Sequence, residues 1–239
     1  MEFKEKLKAR ALKEEISLSP KQLDQFELFY NMLIETNKSM NLTAITDEDE
    51  VIEKHFIDSL SCRRVMDMTK VKTCIDVGTG AGFPGIPLKI VYPEIQFVLV
   101  DSLNKRVGFL NEVKKALGLE GLEALHGRAE DYAKDAAYRE KYDLCVSRAV
   151  ANLATLSEYC LPYVKVGGMF IPYKSGEIDE EVKGSKKAVK VLGGEIEDVV
   201  KFELPGTDIG RSFVKIHKVK NTAKKYPRKA GMPSREPIV

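Results

Sequence analysis

An α/β fold built on a mostly parallel sheet is what this sequence predicts, and three observations carry it. From Val71 onward, short β-branched runs alternate with helical stretches, the pattern of strand–helix–strand connections. The first run ends at Asp76-Val77, and glycines follow at 78, 80, 82 and 85, so the chain turns sharply at a strand end. Two alternating runs joined by Leu204-Pro-Gly-Thr-Asp208 close the series as an antiparallel hairpin.

Residues 1–70 read as an N-terminal helical extension. Ser19-Pro20 is an N-cap with proline at the first helical position. Leu23, Phe26, Phe29, Tyr30, Leu33 and Ile34 recur at spacings of three and four, one apolar face of a helix expected to end near Asn37. A loop with Asn41-Leu-Thr-Ala-Ile45 follows, and Thr46 or Asp47 should cap a further helix to about Met68. On that helix His55 and Asp58 share a face. They could be a catalytic pair, but a local hydrogen bond between them is the expectation.

Residues 71–220 should hold the sheet. Strands are placed near 71–77, 95–101, 122–126, 142–147 and 167–173, with helices near 84–91, 103–118, 128–137, 151–164 and 178–192. Lys174 to Gly176 reads as a turn, and Glu195–Phe202 with Ser212–Val219 as the hairpin. Residues 221–239, rich in proline and charge, read as a basic tail without regular structure.

With 44% apolar residues, a chain of 239 can build a real core. No apolar run approaches the ~18 residues of a membrane span. The first residues are charged throughout, without the apolar stretch of a secretory signal, so a cytoplasmic protein without membrane contact is expected. Cys62, Cys74, Cys145 and Cys160 are scattered, which speaks against a metal site or a disulfide framework. Charge is uneven. Residues 211–239 hold nine Lys or Arg against Glu236 alone, +8, so the other 210 residues carry −6 of the net +2. A basic tail on an acidic body suits a polyanion, nucleic acid first, with a solubilising tail as the plainer alternative.

The glycine loop sits where nucleotide-type cofactors bind. Gly80-Ala-Gly-Phe-Pro-Gly85 matches the dinucleotide pattern formally, but starts three residues too late; begun at Gly78, the pattern puts Phe83 where the third glycine belongs. Pro84 and Pro87 also have no N–H for a diphosphate. Acid-x-Gly-x-Gly-x-Gly, with Asp76 as the acid, instead looks like the first motif of the class I methyltransferases, whose cofactor is S-adenosylmethionine. Asp101 ends the second strand 25 residues beyond Asp76, placed to accept both hydroxyls of a ribose or to cap the next helix. In such a fold Gly127-Arg-Ala-Glu-Asp131 would lie against the adenine, with Ala129 small enough to let the ring approach and the Glu130 N–H free to meet a ring nitrogen; a helix start with acids at its positive end is the competing reading. Ser147 and Arg148 fall at the end of the fourth strand. No Asp/Asn-Pro-Pro-aromatic motif stands there and no Pro-Cys dipeptide occurs anywhere. Both absences favour an acceptor with a free lone pair, such as guanine N7.

Together these residues resemble one family, the bacterial small-subunit ribosomal RNA guanine-N7 methyltransferases (glucose-inhibited division protein B). The segments that carry the resemblance are Asn41–Ile45, Lys54-His-Phe-Ile-Asp-Ser-Leu60, Asp76-Val-Gly-Thr-Gly-Ala-Gly-Phe-Pro-Gly-Ile-Pro87, Asp101–Arg106, Gly127–Glu130, Val146-Ser-Arg-Ala149 and Tyr226-Pro-Arg-Lys-Ala-Gly231. The resemblance implies a Rossmann-like class I S-adenosylmethionine-dependent fold and methylation of one guanine N7 in the 530 loop of 16S ribosomal RNA, as naked RNA or small subunit; a monomer is the separate expectation. It implies cofactor contacts from Gly78, Phe83, Ala129, Glu130 and Arg148, and no catalytic base. Gly80 joins them because the backbone must approach the ligand there, and Asp101 through the ribose argument. The rivals are a dehydrogenase and a non-catalytic RNA-binding or ribosome-assembly protein.

Overall fold

The computed structural model describes residues 2–239. Its first helices are α1 (Phe3–Lys13) and α2 (Pro20–Met40). Ser19 caps α2 as expected, and Gln22 completes the box by reaching back to the Ser19 N–H. The helix runs past Asn37 and stops at Asn41, which takes the left-handed conformation that asparagine tolerates at a helix end. Asp47, not Thr46, caps the next helical segment through the Glu50 N–H. That segment is α at α3 (Glu48–Val51), π at Ile52–Ile57 and α again at α4 (Asp58–Leu60), and one 3₁₀ turn (Ser61–Arg64) ends it short of Met68.

Strands and helices then alternate: β1 (Thr73–Val77), α5 (Gly85–Val91), β2 (Gln96–Asp101), α6 (Asn104–Leu117), β3 (Leu122–His126), α7 (Ala129–Tyr132), β4 (Tyr142–Arg148), α8 (Leu153–Cys160), β5 (Val164–Ser175), α9 (Asp179–Val191), β6 (Gly194–Glu203) and β7 (Gly210–Lys218). Two helices are shorter than expected. α7 ends at Tyr132, and beyond it the Asp135 carboxylate takes the Ala137 N–H at 2.8 Å, a side-chain turn that competes with helix. α8 gives way to a 3₁₀ turn containing Pro162, which cannot donate the helical hydrogen bond. β5 is longer than expected at both ends and absorbs Lys174 and Ser175 from the expected turn.

The seven strands are ordered β3-β2-β1-β4-β5-β7-β6. β1 to β5 pair in parallel, and β7 runs antiparallel to both β5 and β6. The winding reverses between β1 and β4, and ligands bind such open sheets at the carboxyl ends of the strands beside that switch point. Both faces are covered. Cys74, Phe97, Leu144, Val146 and Phe213 pack toward α1, α2, α5 and α6; Ile75, Val77, Cys145, Phe170 and Ile216 pack toward α8 and α9. Phe26, Phe29 and Phe56 of the helical extension reach the glycine loop through Phe83, whose ring lies 5.2 Å from Phe29 and 6.0 Å from Phe56. Among the described residues no helix is long and apolar enough to cross a membrane.

The last twenty residues are irregular, as expected, except for one helical turn, α10 (Met232–Arg235). They are nevertheless held against the body. Arg139 donates to the Tyr226 and Thr222 carbonyls at 2.9 and 2.7 Å, and the Thr222 N–H donates to Glu140 at 2.7 Å.

Candidate functional site

The loop after β1 is organised by two buried carboxylates. Asp76 is fully buried; its Oδ2 accepts from Thr79 Oγ1 at 2.7 Å and from the Gly85 N–H at 2.8 Å, closing the loop on itself. Among the described residues its Oδ1 has no partner. Burial pushes the Asp76 carboxyl up to about 7, against the pull of those two donors. Asp101 accepts the Gly80 N–H on Oδ2 and the Leu103 N–H on Oδ1, both at 2.9 Å, so it links the glycine loop to the start of α6. Gly78 and Gly80 have φ of +73° and +61°, the left-handed region that a side chain resists.

A cleft of about 840 Å³ opens at the carboxyl ends of β1, β2 and β3. Gly78, Asp101, Ala129 and Glu130 line it, together with Arg106, Arg128 and Tyr159. Gly80, Phe83 and Arg148 do not. Gly80 sits behind the Asp101 carboxylate. Phe83 is 5% exposed within the aromatic core and stacks on His55 at 4.5 Å.

Arg148 turns instead into a neighbouring cavity of about 500 Å³, which shares Ala149 with the cleft. Ala149 has φ +56°, a strained value for a residue with a Cβ, at the point where the two spaces meet. In this cavity Arg148 donates to Asp58 Oδ2 at 2.9 Å, to the Lys54 carbonyl at 3.0 Å and to His55 Nδ1 at 3.1 Å. Asp58 Oδ1 accepts from Arg211 Nε at 2.8 Å. The expected His55–Asp58 hydrogen bond does not form: both side chains take Arg148 as their partner, across the π turn that carries Lys54 and His55. Burial, with the Arg148 charge, pushes the His55 imidazole down to about 3. Lys174, held by Glu181 at 2.6 Å, completes a cationic lining.

Sequence reasoning missed Arg211, Lys54 and Lys174 here, and Tyr159 and Gly231 at the cleft. Arg211 stands 153 residues from Asp58, and no local pattern relates the two. The tail also differs from expectation. Arg228 is not free for a polyanion, because its guanidinium and N–H are spent on the buried Glu158 carboxylate, with Nη2 to Oε2 at 2.7 Å. Tyr226 is half-buried and packed against the sheet's second core.

A sequence profile described as "GidB: rRNA small subunit methyltransferase G" matches residues 22–224. A protein of Lachnoclostridium phytofermentans named ribosomal RNA small subunit methyltransferase G is 54% identical over 224 residues, 94% of this chain and 93% of its own. One of the same name from Clostridium botulinum (strain Loch Maree) is 48% identical over 238 residues, 100% of both chains. Among solved structures, the fibrillarin pre-rRNA processing protein of Methanococcus jannaschii superposes with a TM-score of 0.51 at 18% identity, over 65% of this chain and 70% of its own. TYW2 of M. jannaschii, solved in complex with AdoMet, does so with a TM-score of 0.51 at 13% identity, over 68% and 77%. At these identities the structural likeness is one of fold.

Proposed function

We propose, for a chain that belongs to the GidB family of ribosomal RNA small subunit methyltransferases G, that it uses S-adenosylmethionine to methylate N7 of one guanine in the 530 loop of 16S ribosomal RNA. The cleft suits this cofactor. Gly78 lines it with no Cβ in the way, and Asp101 offers an acidic group at the end of β2. In this reading Gly78 and Asp101 hold the aminoacyl and ribose parts, with the Gly80 N–H positioning the Asp101 carboxylate, and Ala129 with the Glu130 N–H holds the adenine. The cationic cavity beyond Ala149 receives the acceptor nucleotide, and Arg148 and Phe83 form the partition behind it.

S-Adenosylmethionine, when bound, supplies a sulfonium methyl group: the bond from N7 to carbon forms as the carbon–sulfur bond breaks, and that electron pair stays on sulfur. N7 carries a lone pair and no proton, so the protein has no proton to remove. One observation carries the choice of acceptor: the cavity's candidate bases are already engaged. Asp58 is shared by two arginines, and His55 is a neutral ring with both nitrogens in hydrogen bonds. An arginine guanidinium such as that of Arg148 can orient the acceptor but cannot serve as a base. Catalysis then rests on holding two reactants in line, which can supply up to ~7–11 kcal/mol.

The test is to map N7-methylguanine in 16S RNA from cells with and without this protein, by borohydride and aniline cleavage. A cleavage in the 530 loop that depends on the protein is expected. Methyl groups found instead on guanine N2, cytosine C5 or a ribose hydroxyl would overturn the reading.

A further inference from the structure

The segment after Lys224 lies outside the matched family profile, yet it reaches the cofactor cleft. Its Gly231 lines the cleft beside Ala129, Glu130 and Tyr159. Two buried carboxylates hold it there. Glu130, 5% exposed, accepts the Gly231 N–H on Oε1 at 2.9 Å. Glu158, 1% exposed, takes the Arg228 guanidinium on both oxygens, with Nε to Oε1 at 3.0 Å and Nη2 to Oε2 at 2.7 Å, and the Arg228 N–H at 2.7 Å. Thr155 Oγ1 adds a hydrogen bond to the Pro233 carbonyl at 3.0 Å.

The direction of dependence follows from burial. Among the described residues, the hydrogen bonds made by the Glu130 and Glu158 carboxylates all come from this segment. Undocking it would leave one buried acid without a donor and the other without its counter-charge, and unpaired buried charge is costly. Glu130 belongs to the same short helix start as Ala129, the wall assigned above to the adenine. The segment therefore stands behind that wall and supplies part of it.

We infer that residues 226–236 form a C-terminal strap that is a working part of the cofactor site, bracing the wall around Ala129 and Glu130 for the adenosyl group through Glu130–Gly231 and Glu158–Arg228. The inference rests on the assignment of the cleft to an adenosyl cofactor. If the docked strap favours ligand binding at this wall, the ligand must favour strap docking by the same factor. The strap also carries Lys229 and Arg235, both exposed, so a segment that braces the cofactor presents cations to solvent at the same place.

The experiment compares the full chain with a chain ending at Lys224 and with Arg228→Met, titrating S-adenosylhomocysteine by calorimetry. Truncation should weaken binding at least tenfold, and Arg228→Met by a smaller factor in the same direction. In parallel, trypsin cleavage of the full chain after Lys229 should slow several-fold under saturating S-adenosylhomocysteine, since cleavage needs the strap undocked. This second measurement decides the matter if the truncated chain does not fold. Affinity within twofold of the full chain after truncation, or cleavage after Lys229 at a rate the ligand does not change, overturns the strap and leaves the assignment of the cleft standing. A full chain that binds no S-adenosylhomocysteine overturns both.

Discussion

Arg148 donates from Nη2 to His55 Nδ1 at 3.1 Å, and this one contact sets the tautomer of the ring. Arginine can only donate, so Nδ1 must be the bare nitrogen and Nε2 must carry the proton. Nε2 lies 2.8 Å from Thr43 Oγ1, which accepts it. The histidine is thereby a neutral spacer between the helical extension and the end of β4. Its neighbour Phe83 continues the stack into the core.

This arrangement has a pH signature. The His55 imidazole is held near 3 in the folded protein, against about 6.5 when unfolded, so between those values only the unfolded chain binds the proton. Its contribution to stability is whole above about 6.5 and is lost as pH falls toward 3. The unfolding free energy of the wild-type protein, relative to His55→Phe, should shrink with acid below pH 6.5, by a slope approaching about 1.4 kcal/mol per pH unit. Denaturant curves at pH 7.5, 6 and 5 check this; a pH-independent difference would mean that His55 titrates normally. The ring resonances of His55 should likewise stay unshifted from pH 8 to 5.

Asp58 bridges Arg148 and Arg211 and offsets the repulsion between them. Asp58→Ala leaves two guanidiniums facing each other in a partly closed cavity, and should cost toward the ~3–5 kcal/mol typical of breaking a buried ion pair. Arg211→Met keeps Asp58 paired with Arg148 and should cost clearly less. Urea midpoints for the two variants settle the order, and equal losses would show that Asp58 acts through Arg211 and that its pairing with Arg148 contributes little.

The loop glycines separate fold from ligand. A Cβ on Gly85 would come within 2.3 Å of Leu99 and 2.9 Å of Asp76 Oδ2, so Gly85→Ala should destabilise by ~1–3 kcal/mol. A Cβ on Gly80 meets nothing within 4 Å, so Gly80→Val strains only a backbone at φ +61°, at roughly 1–2 kcal/mol. Because the Gly80 N–H positions the Asp101 carboxylate at the cleft, that variant should fold and yet bind S-adenosylmethionine more weakly. Unchanged calorimetric affinity would refute the placement of the cofactor against this loop.

RNA binding should divide the tail's cations. Lys224, Lys225, Lys229 and Arg235 are exposed, whereas Arg228 is committed to Glu158. If the tail grips phosphates, each of the four changed to glutamine should lower the slope of log affinity against log salt by about 0.7–0.9. Arg228→Gln should loosen the strap rather than remove one phosphate contact. Slopes unchanged in the quadruple variant would assign the tail's positive charge to solubility alone.

Much of this protein is written locally in its sequence. The N-cap at Ser19 with Pro20 after it, the apolar face of α2, the strand ending at Val77, the acid closing β2 and the hairpin at the sheet edge each depend on residues a few positions apart. Periodicity and cap chemistry act over that range, so they can be read without a fold. Ala129 and Glu130 could be placed at the cleft because a glycine loop and a following strand end locate it in any sheet of this winding. What only tertiary structure decided is which distant side chains share one buried space. His55 and Asp58 share a helical face, yet β4 brings Arg148 between them, and Arg211 arrives from β7 to take the second Asp58 oxygen. The tail reads as free because its composition is polar and its backbone irregular. Glu130 and Glu158 hold it down, since a carboxylate buried beneath it needs a donor, and the strap is where the chain supplies one.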